Sequence, residues 1–463
     1  MLTIVNTKIG SHRGSKRLWM EGRKIERHGF KPGIRFNILP AANDDALEII
    51  IDENGTYKVS SRYLNDDSKP TKSIIDLKCQ ELSNLFEEGQ LIRAELRNNK
   101  IVISIHEIER NRIDRENKAK HKILNGIPFD VCSLFHGGGI MDNACHEGFK
   151  KTGIASRVAI ACEIDSKYLD SSLRNNPELF DEQSILLEGD ISHVNMLKNR
   201  TTTCDVLIAG IPCTGASLSG RTKNKLTFAE SHDKAGAMFY SFLNFVMSVQ
   251  PVAVIIENVD SYSNTASMAV IRSVLGNLGY NTHERTFGGN EFGCLEDRKR
   301  LGVIALSKGL PSINLDDVKP SRVKEDDIAS ILEPIPLDST RYRNLDYLDK
   351  KEVRDRAAGK GFKRQRLTGK ESKCGCIGRQ YHKYRSTEPM LTHPIDSSLD
   401  RLFTPTEHAK LKGIPLNLLE GNSDTINHEI LGQSICWPMF FDIAHYLGTS
   451  LNSWAKAEIL KAA

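Results

Sequence analysis

No stretch of this 463-residue chain is apolar for long enough to span a bilayer, which takes roughly 20 consecutive apolar residues. No secretory signal pattern opens it, so a cytoplasmic protein is expected. A large net charge is also missing. The formal value is +4, which excludes a polycation that binds polyanions over its whole surface. The ten cysteines lack regular spacing. The pair Cys374-Gly375-Cys376 has no second pair nearby at ligand distance, so no metal is expected. Cys132, Cys162 and Cys204 sit in or beside apolar runs, where a thiol acts as a small hydrophobe, and this usage suits a reducing compartment.

What positive charge there is comes in blocks. Residues 1–36 carry nine Lys/Arg against two Glu, and residues 360–385 carry nine against one. Two such blocks around an enzyme-like middle point to a polyanionic partner. The first 108 residues hold an internal repeat. Phe30 and Phe86 are 56 positions apart, as are Gly33 and Gly89. Each pair opens a glycine turn followed by two strand-like runs, first Ile34–Ile38 and Leu47–Ile51, then Leu91–Leu96 and Ile101–Ile105. Neither copy can bury its apolar face alone, so the two should pack together. The pattern resembles the swapped-hairpin domains of the AbrB-like and SymE-like groups. That resemblance implies DNA binding, and the plain alternative is a β-rich unit for stability or for forming a homodimer.

Residues 109–127 are highly charged and read as a linker, with helix an option. From Pro128 short β-rich runs alternate with longer helical stretches. The runs are Val131–Phe135, Ala159–Glu163, Val206–Gly210, Val252–Glu257 and Gly302–Leu306, and Ala235–Val249 is one helix. This alternation predicts an α/β fold with a doubly wound, mostly parallel sheet, whose ligands lie beyond the carboxyl ends of the strands. Residues 128–306 and 391–463 form its two parts. Residues 307–390 are polar and basic and read as an insertion.

The unusual residues fall at those strand ends. Phe135-His136-Gly137-Gly138-Gly139 follows the first strand, where glycines let a ligand approach the backbone. Glu163-Ile164-Asp165 ends the second, and an acidic residue there commonly holds ribose hydroxyls. Gly189-Asp190-Ile191 follows a further apolar run and suits an adenine amino group. Pro212-Cys213 ends the next, then Glu257-Asn258-Val259, then Arg298-Lys299-Arg300. A thiol, a carboxyl group and two guanidiniums suit nucleophilic attack on a heteroaromatic ring.

In this order the blocks resemble those of the cytosine-C5 DNA methyltransferases, from about Pro128 to Leu447. Phe292–Arg300 matches the block usually written Tyr-Gly-Val-Pro-Gln-x-Arg-x-Arg. Arg401–Glu407 and Gly432-Gln433-Ser434-Ile435 match the last two. Among the departures from the family pattern are Ser133, where the pattern has Asp, and Ile140, Thr214, Glu296 and Gln433. The resemblance implies a S-adenosylmethionine-dependent fold in which 307–390 recognises the target. It implies that Cys213 attacks C6 of a flipped cytosine, that Glu257, held protonated by partial desolvation, donates to N3, and that Arg298 bonds O2 while Arg300 orients the site. Loss of the C5 proton, after C5 has taken the methyl group, expels the cysteine. The cofactor would lie on Phe135, Gly137, Gly138, Gly139, Glu163, Ile164, Asp190, Ile191, Pro212 and Gln433. The basic stretch Thr214–Asp233 reads as a lid over a phosphate backbone. Tyr381, His382 and Tyr384 read as candidates for contact with DNA. Double-stranded DNA is the expected partner, in a cytoplasmic, nucleoid-associated protein. The rivals are a tRNA methyltransferase and a DNA-binding regulator with an inactive catalytic half.

Overall fold

Alternating burial builds the first part of the molecule. In the strand Leu91–Arg97, Ile92, Ala94 and Leu96 point inward, and in Lys100–Ile105 Ile101 and Ile103 do the same, the period-two pattern of a half-buried strand. The computed structural model describes residues 1–41, 45–62, 72–194, 202–212, 236–359 and 363–457. The chain divides into two compact units, Met1–Asp114 and Arg115–Ala463.

Among the described residues the first unit has ten strands: β1 Thr3–Lys8, β2 Gly10–His12, β3 Ser15–Glu21, β4 Arg35–Pro40, β5 Ala46–Ile51, β6 Tyr57–Lys58, β7 Ser60–Arg62, β8 Lys72–Leu77, β9 Leu91–Arg97 and β10 Lys100–Ile105. They form one sheet in the order β1-β9-β10-β5-β4-β6 and another in the order β2-β3-β8-β7. The repeat predicted from the sequence is a structural one. β3, a short helix and the hairpin β4–β5 recur as β8, a short helix and the hairpin β9–β10. Gly33 and Gly89 both have left-handed backbones (φ 87° and 78°), and Phe30 and Phe86 are both fully buried. The copies meet directly, because β5 pairs antiparallel with β10 and β3 with β8.

The second unit begins inside the helix Glu107–Asn125. The charged stretch 109–127, expected as a linker, is therefore half integral. Arg115, Glu116 and Lys122 are buried. Arg115 donates to Ser307 Oγ and to the carbonyls of Leu278 and Gly279, and it stacks 3.9 Å over the Tyr280 ring. Lys122 Nζ lies 2.6 Å from Asp205 and 2.7 Å from Asp130, at the starts of two central strands.

Those strands belong to a seven-stranded sheet: β11 Phe129–Leu134, β12 Ser156–Glu163, β13 Ile185–Glu188, β14 Val206–Gly210, β15 Ala253–Asn258, β16 Tyr280–Gly288 and β17 Lys299–Ser307, in the order β13-β12-β11-β14-β15-β17-β16. The first five run parallel, whereas β17 is antiparallel to both β15 and β16. The doubly wound sheet is as predicted, with β16 added. Helices cover both faces. Ile140–Lys151 and Trp437–Ala457 lie on one side, in close contact where Gly148 meets Ala444 and Gly448 meets Thr152. Met238–Val249 lies on the other, burying Phe242, Phe245, Val246 and Val249. Because β17 runs backwards, its first residues come to the same end of the sheet as the last residues of β14 and β15.

The basic insertion holds a small sheet: β18 Arg343–Asn344, β19 Gln365–Leu367, β20 Pro389–Thr392 and β21 Leu399–Arg401, in the order β18-β21-β20-β19. The boundary expected at residue 390 falls inside β20. The core of this module takes in Leu295, Phe403 and Leu411 from the flanking blocks, so the insertion is not separable from them. Tyr381, expected to face DNA, is fully buried in that core. Its hydroxyl donates to Pro389 O and accepts from Phe403 N.

Candidate active site

The end of β15 carries Glu257, the carboxyl group that the sequence singles out. Glu257 stands opposite Gly210, the last residue of β14, in register. Two residues beyond Gly210 the chain reaches Pro212. Asn258 fixes that approach, since its side chain donates to Ile211 O at 3.0 Å and accepts from Val259 N at 2.8 Å. The sequence marks Asn258 only as a member of the Glu-Asn-Val block; its tie to Ile211 is a contact over 47 residues. Cys213 and the stretch Thr214–Asp233, predicted as nucleophile and lid, lie outside the described residues.

The two arginines separate in role. Arg300 Nε is 2.7 Å from Glu257 Oε1, and both side chains keep a little exposure (12% and 14%). Arg298, expected to face the base, is enclosed instead, with 4% exposure. Its guanidinium points at the carbonyls of Ile377, Gly432 and Gln433, the Cys376 sulfur and Glu296. Burial alone lowers the pKa of a guanidinium, but the neighbouring Cys376, Glu296 and Glu257 outweigh it and raise that of Arg298. This side chain ties loops together. The side chain paired with Glu257 is Arg300.

Glu296 and Lys412, both fully buried, lie 3.7 Å apart beneath this point. Lys412 Nζ also donates to the carbonyls of Leu431 and Ser434. Glu296 stands where the family pattern has Gln, and it accepts from Ile377 N at 3.2 Å. A buried carboxylate is tolerable there because two cations adjoin it.

The predicted cofactor residues gather at the ends of β11, β12 and β13. Glu163 is 8% exposed, and its carboxylate accepts from the backbone N–H of Gly137 (2.7 Å), Ile164 (2.9 Å) and Asp165 (3.0 Å). Three donors suit a fixed negative charge. Next to it Ile164 is 68% exposed, an apolar side chain held at a strand end. Phe135 takes a left-handed backbone, φ 58°. Gly138 lies so near Ile430 that a Cβ would fall 2.6 Å from its Cγ2. Asp190 caps the turn Ile191–His193 with Oδ1, and the bonds from Ser192 hold its carboxyl below the usual carboxylate range. Ile191 is buried beneath, whereas Gln433 is exposed on the opposite rim. A carboxylate pinned by backbone donors, an exposed apolar plate and a second carboxylate make a shelf that fits an adenosine: hydroxyls, ring face and amino group.

His136 supports the shelf from below and was not among the expected site residues. It is buried, with Nδ1 2.8 Å from Ser133 Oγ and 3.1 Å from Asp142, and Nε2 2.7 Å from Ser172 Oγ. This network occupies the place of the family's Asp, here Ser133. Its signal in the sequence was a histidine inside a glycine loop.

Residues 129–449 match the family model described as C-5 cytosine-specific DNA methylase. The chain is 26% identical over 334 residues to the type II methyltransferase M.NlaX of Neisseria lactamica, covering 70% of this chain and 98% of that one. To the type II methyltransferase M.HhaI of Haemophilus parahaemolyticus it is 23% identical over 284 residues, 57% and 81% of the two chains. Among solved structures, the S. pombe Dnmt2 methyltransferase superposes with a TM-score of 0.54 at 21% identity, covering 70% of this chain and 98% of that one. The Entamoeba histolytica methyltransferase EhMeth gives 0.52 at 17%, with 72% and 99% covered. At such identities these two likenesses speak to the fold alone.

Proposed function

The chain belongs to the C-5 cytosine-specific DNA methylase family, and from that premise we propose how its own residues methylate cytosine in duplex DNA. The observation that carries the reading is the Glu257–Arg300 pair at the end of β15, beside the strand that leads to Pro212. S-adenosylmethionine, the family's methyl donor, supplies the methyl group when bound on the shelf of Glu163, Ile164 and Asp190.

The target ring enters flipped out of its duplex, at an unstacking cost of a few kcal/mol. Cys213 follows Pro212 directly, and its thiolate adds to C6. Glu257 gives a proton to N3 and so relieves the charge that addition creates. Arg300, already against that carboxyl group, bonds O2, the role that the sequence assigns to Arg298. Asn258 keeps the loop base at Ile211 in place. Once C5 has taken the methyl group, loss of the C5 proton to solvent expels the Cys213 thiolate, and N3 returns its proton to Glu257, so that 5-methylcytosine leaves and the enzyme ends as it began. Target selection falls to the module around β18–β21, where phosphate contacts position the duplex and a few side chains read base edges. As a modification enzyme it groups with type II methyltransferases of restriction–modification systems.

The test is transfer of labelled methyl groups to duplex DNA and, in parallel, to tRNA, with Cys213→Ser as control. Incorporation into DNA that Cys213→Ser abolishes supports the reading, as does a covalent adduct with 5-fluorocytosine DNA, whose C5 fluorine cannot leave as a proton does. Incorporation into tRNA alone transfers the same chemistry to RNA. No incorporation into either by the wild type, with DNA still bound, favours a regulator.

A further inference from the structure

Resting on that cofactor shelf, we propose that residues 374–379 form a strap from the recognition module across the catalytic unit, and that Arg379 retains the cofactor. One end of the strap is stitched to the arginine block. Cys374 pairs with Glu296 as a parallel bridge, its N–H donates to Leu295 O at 2.9 Å, and its carbonyl accepts from Asp297 N at 2.9 Å. Glu296 accepts from Ile377 N, and Arg298 holds Cys376 Sγ at 2.9 Å and Ile377 O at 3.3 Å. The middle lies on the last motif: Gly432 is so close to Gly378 that a Cβ would strike its carbonyl. Any side chain at Gly432 would lift the strap.

The far end reaches the shelf. The Arg379 guanidinium lies 3.8 Å from Asp165 and 5.4 Å from the centre of the Tyr168 ring. Asp165 is the neighbour of Ile164, the exposed apolar plate. Tyr168 in turn donates to Glu429 at 3.0 Å, on the helix that ends at Gln433. The Arg379 side chain is half exposed, so it is not needed for the core. Its position joins the three parts that frame the shelf: the end of β12, the helix Asp424–Gln433 and the recognition module. A cofactor seated on Glu163 and Ile164 would lie beside this side chain, since Asp165 is the next residue. By thermodynamic linkage, whatever orders the strap tightens cofactor binding, and a bound cofactor orders the strap.

Arg379 acts here as a positioning residue. The experiment is calorimetric binding of S-adenosylmethionine to the full chain, together with its dissociation rate by stopped-flow displacement with S-adenosylhomocysteine. For Arg379→Ala, about a threefold to fivefold rise in both Kd and dissociation rate is expected, the loss of one half-exposed ion pair. Asp165→Asn should give a similar change, and the double variant little more than either single, since the two act as one contact. Single-turnover methyl transfer at saturating cofactor should stay at the wild-type rate, and thermal unfolding should be unchanged. Kd and dissociation rate within twofold of wild type in Arg379→Ala would overturn the strap. A wild type that binds no S-adenosylmethionine overturns the shelf itself.

Discussion

Replacing Lys122 by methionine should cost the catalytic unit about 3 kcal/mol of stability without moving any group of the active site. The ammonium sits among three acceptors: Asp205 at 2.6 Å, Asp130 at 2.7 Å and Pro128 O at 3.0 Å. The Asp205 side chain is 1% exposed. Removing one partner of a buried ion pair costs ~3–5 kcal/mol, because the other charge stays desolvated. The lower end applies here, since Asp205 keeps a bond from Asp130 N at 2.7 Å and has Lys118 at 3.4 Å. Burial pushes Lys122 down, but the bonds to Asp130 and Asp205 prevail and hold its pKa above the ordinary lysine value of 10.5. A group raised in the folded state stabilises fully below its unfolded value and loses that effect as pH rises through the folded one, so the cost should be constant at neutral pH and shrink only above 10.5. Urea unfolding followed by tryptophan fluorescence is the assay. Trp19→Phe leaves only Trp437 and Trp454, both in the second unit. Adding Asp205→Asn to Lys122→Met should recover part of the loss. A change below about 1 kcal/mol, or no recovery in the double variant, would refute the reasoning.

The arginines should part company. Arg300→Ala is expected to keep the fold and lower kcat by at least about a hundredfold, whereas Arg298→Ala, leaving the carbonyls of Ile377, Gly432 and Gln433 without their donor, should lower stability by about 3 kcal/mol; steady-state kinetics and thermal unfolding separate the two. Glu163→Ala and Asp190→Ala should each weaken S-adenosylmethionine binding by about 1–3 kcal/mol in calorimetry, and unchanged affinity in both would mean that the cofactor lies elsewhere. Acid should loosen the helices Pro405–Leu411 and Asp424–Gln433, whose histidines pack against Tyr381. Burial, opposed in part by Asp424, lowers His428 from 6.5 to about 4, and burial also pushes its neighbour His408 well down. The unfolded chain then binds more protons between those values, so stability should fall from pH 6.5 towards 4 at about 1.4 kcal/mol per unit for each histidine, and His428→Asn should reduce that slope in urea titrations.

What the sequence revealed was what repeats locally. β14 stands at its predicted bounds, Val206–Gly210, and the repeat around Phe30 and Phe86 was readable because its glycines and apolar runs recur in order. β16 was not read as a strand, since Tyr280–Gly288 is mostly polar and gains its place only by pairing with β17. The second half of the charged stretch 109–127 was taken for a linker because its buried side chains, Arg115, Glu116 and Lys122, are themselves charged. The difference in placement between Arg298 and Arg300 has the same origin. Contacts with Ile377 and Gly432, about 80 and 130 positions away, decide it, and no local pattern encodes them. Tyr381 misled through its basic neighbours, although its own ring belongs to the core.

The pairing of β5 with β10 has a consequence for how the first unit responds to change. Two copies in one polypeptide meet as an intramolecular event, so dilution cannot part them. A pair of separate chains would carry every substitution twice, once on each side of its axis. Here a substitution in one hairpin leaves its counterpart untouched. The two faces are thus free to drift apart in charge and shape while the seam between them stays closed.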